Sequence, residues 1–215
     1  MRKPWWCVIL IIFVYFQVPA ESMPSIPSSG TILDDFIPKG WILNKKDEGD
    51  LNKDGLPDIA AAIEEKLPPD TEESARRILL LLLKNDSGYI LSAKSAKAIL
   101  RADDGGMMGD PFLTLACSRG SVLIGFYGGS RSRWGYLLRF RLQDEGWALI
   151  GLSTDDIDAQ TGDEKTEDFN LLTGQVVTST KKGDNPAKVK KNNRGKRKLI
   201  LLKDFNVSEI ESLDY

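Results

Sequence analysis

Four consecutive runs in the second half of the chain constrain its fold most. Phe112–Ser118, Ser121–Tyr127, Trp134–Gln143 and Trp147–Thr154 are apolar or alternating, and Arg119-Gly120, Gly128–Arg133 and Asp144–Gly146 separate them. Successive side chains of a strand point to opposite faces. In the third run Tyr136, Leu138, Phe140 and Leu142 therefore share one face, and Leu137, Arg139, Arg141 and Gln143 share the other. One face is buried and the other wet, the signature of an antiparallel meander.

The first half adds further strands. Phe36–Asn44 reads as a first strand, and Ile59–Glu65 as a second; the alanines of the latter would permit a helix, but a strand fits better after the intervening turn. Ala75–Leu83 and Tyr89–Ser92 flank Asn85-Asp86-Ser87-Gly88 and read as a hairpin, although periodicity alone leaves so short an apolar block open to a buried helix. Leu67–Glu73 and Ala102–Pro111 read as connections, and Ser95–Leu100 fits a short strand or a helical turn equally. Asp155–Asn170 is expected to be a long acidic loop, Leu171–Ser179 a strand, Lys181–Lys198 a basic loop and Lys198–Lys203 a last strand. No internal repeat stands out, which argues against a complete propeller of equal blades. The expected fold is mainly β: a single antiparallel domain, either a twisted sheet or a partial propeller-like arrangement, with few short helices.

The ends carry other signals. Arg2 and Lys3 precede the apolar run Trp5–Phe16, which falls short of the about 20 residues a membrane helix needs, and Val18-Pro19-Ala20 suits cleavage. Residues 1–20 are thus expected to be a secretory signal, residues 21–35 a flexible linker, 36–203 the β-rich domain and 204–215 a fraying tail. This places the mature protein in the periplasm or outside the cell, with no transmembrane anchor after cleavage. Removal of residues 1–20 leaves 27 basic against 31 acidic residues, a net charge of −4. That balance gives no reason to expect nucleic acid as a partner. Of two cysteines only Cys117 would remain, so no intrachain disulfide is expected, and its apolar setting suits a buried small side chain. The chain has no histidine, which excludes histidine-based acid–base catalysis and leaves hard, oxygen-bound metals as the expected class.

One loop supplies such oxygens. In Gly49-Asp50-Leu51-Asn52-Lys53-Asp54-Gly55-Leu56-Pro57-Asp58, oxygen side chains recur at every second position before a glycine turn. A calcium ion takes six to eight oxygens at about 2.3–2.6 Å. Asp50, Asn52, Asp54 and Asp58 can offer side chains and Leu56 its carbonyl. This decapeptide resembles the calcium loops of FG-GAP and VCBS-type repeats, the integrin-like class that also resembles half an EF-hand. The resemblance implies those five residues as Ca²⁺ ligands. An EF-hand would need Glu at the twelfth position, where Ala61 stands, so a strand–loop–strand site of modest affinity is implied instead. More widely, Gly105–Phe112, Tyr127–Ser130, Arg133–Tyr136 and Asn170–Gly174 are similar to segments of small bacterial secreted proteins with one such loop. That likeness implies a shared fold and no particular activity.

Other candidates are weaker. Tyr127, Arg131, Arg133 and Trp134 combine aromatic and guanidinium groups suited to an acidic cell-envelope glycan or a peptide terminus, with a plain hairpin loop whose Trp134 caps the core as the alternative. Asp103, Asp104 and Asp110 offer oxygens at no recognisable metal spacing. The acidic stretch from Asp155 to Asp168 and the basic run Lys188–Lys198 fit solvated loops. The expected function is a non-enzymatic extracytoplasmic calcium-binding structural or interaction module. The alternatives are a glycan-binding module, partnered by cell-envelope glycan or another envelope protein, and a metal-assisted hydrolase using paired carboxylates.

Overall fold

A computed structural model describes residues 23–212. The expected signal segment, residues 1–20, lies outside them. The described chain is mainly β, with two antiparallel sheets in one helix-poor domain and no closed barrel. The first sheet contains β1 (Ser29–Gly30), β2 (Trp41–Gly49), β3 (Asp58–Glu65), β4 (Arg77–Asn85) and β5 (Gly88–Ser95), in the order β1-β5-β4-β3-β2. The second contains β6 (Phe112–Cys117), β7 (Val122–Gly129), β8 (Ser132–Gln143), β9 (Gly146–Asp158), β10 (Asp163–Asn170), β11 (Gln175–Lys181) and β12 (Lys188–Asn193), joined as a continuous meander. Short 3₁₀ helices lie at Leu33–Phe36, Gly106–Met108 and Val207–Ser212.

The main core lies between the sheets. Ala60, Ala62, Leu79 and Leu81 meet Phe112, Ile124, Phe126, Leu138, Phe140 and Leu149 there. The alternate residues of β3 and β4, namely Ile59, Ala61, Ile63, Ile78, Leu80 and Leu82, form a second core with Ile26 and Phe36. Burial on both faces explains why Ile59–Ile63 and Ile78–Leu83 read as unbroken apolar runs rather than alternating ones. The amino-terminal segment is thus a third layer.

Several expectations are corrected. The strand expected at Phe36–Asn44 is β2, which begins only at Trp41; Phe36 sits in a 3₁₀ helix and is fully buried as the plug of the second core. Within the expected linker 21–35, the described residues do not form a mere connection: Ser29 and Gly30 pair with Ile90 and Tyr89. Asp155–Asn170 is not a loop but the end of β9, a turn and β10, whose Glu164–Asn170 also pairs with β11. Residues 171–174 form a turn, and the strand expected there starts at Gln175. Most of the basic run is strand β12, and residues 198–203 make only an isolated bridge, Ala148 to Leu201. The tail does not fray between 204 and 212, because Phe205, Val207 and Ile210 are buried in the main core.

The sheets are stitched by side chains. Arg77, only 3% exposed, forks onto Asp110, with Nη1 2.8 Å from Oδ1 and Nη2 on Oδ2. It also donates to the Leu100 carbonyl at 3.0 Å and to Glu64 at 2.6 Å. Trp147 Nε1 donates to Ser92 Oγ at 2.9 Å, tying β9 to β5.

Candidate functional site

The loop between β2 and β3 sits where the two sheets meet. Leu51 anchors it in the main core, and the neighbouring Asp47 carboxylate accepts the Cys117 amide of β6 at 2.7 Å. Two residues in the loop have left-handed backbone, Lys53 (φ 67°) and Gly55 (φ 88°), and glycine is the residue that adopts it at least cost.

The loop's own amides hold its oxygens. Asp50 accepts the amides of Asp54 at 3.1 Å and Gly55 at 3.0 Å. Asn52 Oδ1 also accepts the Asp54 amide at 3.1 Å, and its Nδ2 donates to Asp54 Oδ2 at 2.7 Å. Asp54 Oδ1 accepts the Leu56 amide at 2.8 Å. The order is therefore built by the backbone, with exposed Asp50 and Asp54 and half-buried Asn52 set around one turn.

Asp58 behaves differently. It is fully buried, and its carboxylate accepts three amides: Leu51 at 2.7 Å, Asn52 at 3.3 Å and Lys84 at 2.8 Å. Of roughly four lone-pair directions on a carboxylate, three are taken. Asp58 thus clamps both ends of the loop to β4, and among the described residues no three acidic, cysteine or histidine side chains converge as a metal cluster. Of the expected ligands, Asp50, Asn52, Asp54 and the Leu56 carbonyl are the ones that could still hold a hard cation, with waters completing its shell.

The residues proposed for glycan do not share a surface. Trp134 pairs across with Gly128 and packs against the main core, stacked on Tyr136 with ring centres 5.1 Å apart. A Cβ at position 128 would lie 2.5 Å from the Trp134 ring, so only glycine admits this packing. Tyr127 and Arg133 lie on the opposite face of the sheet, where Arg133 Nη1 stands 3.5 Å from the Tyr127 hydroxyl. Arg131, in the turn, pairs with Asp158 at 3.3 Å.

Several of the remaining candidates are occupied structurally. Asp110 is spent on Arg77 and on the Phe112 amide, and Asp104 accepts the Arg101 amide at 2.7 Å. The guanidinium of Arg77 holds the Asp110 carboxyl below its ordinary value of 3.8. In the acidic stretch, amides of Gln160 and the Arg131 guanidinium lower Asp158, and Lys182 lowers Asp163. All six residues of β12 are exposed. Burial pushes the Cys117 thiol up to about 12, which suits an inert side chain rather than a nucleophile.

Sequence reasoning missed Arg77 and the clamping role of Asp58. The first lies beside an apolar run with nothing to mark it as paired, and the second has the spacing of a ligand. Compared with known proteins, the chain matches no family model, no curated protein and no solved structure.

Proposed function

We propose that the protein is a non-enzymatic extracytoplasmic module that binds calcium through the Asp50–Asp58 loop. One observation carries this reading. Asp50, Asn52 and Asp54 are held in place by the loop's own amides at the end of a hairpin whose base is locked by buried Leu51 and Asp58. Asp50, Asn52, Asp54 and the Leu56 carbonyl are the ligands in this proposal, and Asp58 positions them. A bound cation would offset the repulsion between Asp50 and Asp54 and favour the folded loop. The amino-terminal pattern of residues 1–20 supports export, and no helix among the described residues is long and apolar enough to cross a membrane.

Thermal melts in calcium, magnesium and EDTA test the proposal. Extracellular modules hold calcium with a Kd of about 10⁻⁴–10⁻³ M. At about 10 mM calcium, mass action then stabilises the fold by roughly 1.4–2.7 kcal/mol. For a chain of this size that is a rise of about 3–10 °C. Equal melting temperatures in calcium and EDTA would rule the site out.

A further inference from the structure

The seven-stranded sheet carries a groove of about 410 Å³ on the face turned away from the main core, lined among others by Arg119, Arg139 and Arg141. The volume lies in the range of small-ligand sites, about 300–1,000 Å³. Elsewhere in the fold arginines hold carboxylates: Arg76 with Glu65, Arg77 with Asp110 and Glu64, Arg131 with Asp158. The groove differs. Among the described residues the Arg139 and Arg119 guanidiniums have no hydrogen bond or ion pair. Arg141 binds only neutral groups, its Nε donating to buried Ser121 Oγ at 2.9 Å and its Nη2 to the Arg119 carbonyl at 3.3 Å. Those two bonds fix its plane and leave Nη1 available.

Gly151, the cross-strand partner of Arg139, has no side chain, and this keeps the floor beside the guanidinium open. The single carboxylate lining the groove, Asp168, accepts the Ser153 hydroxyl at 3.1 Å. Three guanidiniums against one carboxylate leave the groove with a net charge of +2. A phosphate monoester carries about −1.5 to −2 near neutral pH, a closer match than a monoanionic carboxylate. The guanidinium fork also fits two phosphate oxygens at once.

We propose that this groove binds a phosphate dianion, free or as the head of a phosphomonoester, with Arg139 and Arg141 as the principal contacts and Arg119 closing the rim. The site is independent of the calcium loop. Its test is titration of the purified protein with inorganic phosphate, with acetate as the monoanion, and with vesicles of phosphatidic acid or phosphatidylcholine, at constant ionic strength. Saturable binding of phosphate or of phosphatidic acid vesicles is expected, without comparable binding of acetate or phosphatidylcholine. Arg139→Gln should weaken it at least about tenfold, as loss of a charge-assisted fork requires. Its melting temperature in phosphate-free buffer should not change, since Arg139 holds nothing else. Lys190→Gln on β12 removes a charge outside the groove and should change affinity by less than about twofold, as expected of a screened surface charge. A response to phosphate marks a soluble ligand, and a response to phosphatidic acid alone marks a membrane-borne one. Binding to neither, equal binding of acetate, or equal loss in Arg139→Gln and Lys190→Gln would overturn the proposal.

Discussion

Asp58→Ala and Asp54→Ala should separate the clamp of the loop from its ligands. Asp58 is fully buried and accepts two short amide bonds, from Leu51 and Lys84, and a longer one from Asn52. Alanine strands those amides where water cannot replace the carboxylate. A hydrogen bond to a charged group contributes about 1.5–3 kcal/mol, so the two short ones together set a loss of roughly 3–6 kcal/mol. Urea unfolding followed by tryptophan fluorescence, in EDTA, measures it as a drop in midpoint at constant slope. Asp54 is exposed, and its partners, the Leu56 amide and the Asn52 side chain, can turn to water instead. Asp54→Ala should therefore leave the EDTA midpoint within experimental error while abolishing the calcium-dependent rise. Equal losses in EDTA for the two variants would refute the assignment of the clamp to Asp58. A full calcium response in Asp54→Ala would refute the ligand set.

Two further outcomes follow from titratable groups whose surroundings shift them. Asp110 has its folded-state carboxyl lowered by Arg77, so its contribution to stability is present above the ordinary value of 3.8 and is lost as pH falls through the lower folded value. Asp110→Asn should thus be less stable than wild type at neutral pH and show a shallower decline below about pH 4, read as melting temperature against pH. With its thiol pushed up to about 12 by burial, Cys117 should react with a thiol reagent at pH 8 far more slowly in the folded protein than in urea. Equal rates would show that it is neither buried nor shielded.

The parts of the fold legible in the sequence are those whose apolar pattern matches their burial. The β6–β9 meander alternates because one face is wet, and the β4–β5 hairpin announces itself by Asn85-Asp86-Ser87-Gly88 between apolar runs. β10 and β12 were not legible, because beyond Phe169 and Val176 that end of the sheet buries little and its strands carry charge on both faces. The β10–β11 pairing rests on backbone bonds supplemented by polar contacts such as the Thr178 hydroxyl donating to Glu167. Hydrophobic periodicity, the main sequence signal, has nothing to report there. Phe205, Val207 and Ile210 follow no strand or helix period, so their docking was equally silent. At the loop, the alternating oxygens were visible, but whether a carboxylate faces an ion or an amide depends on β4, some 26 residues away from Asp58.

A sheet whose central hairpin is greasy on both sides stays soluble only while both covers are in place. The run Ile78–Leu83, one isoleucine and five leucines, is apolar without an internal charge or proline, the composition from which intermolecular strands assemble. The second sheet covers one side of it, and Phe36 and Ile26, carried by a short and weakly paired segment, cover the other. The amino-terminal layer therefore keeps that face of the hairpin out of reach of other chains. A nick or truncation before Trp41 would reveal itself as precipitate before it registered as a change in unfolding equilibrium.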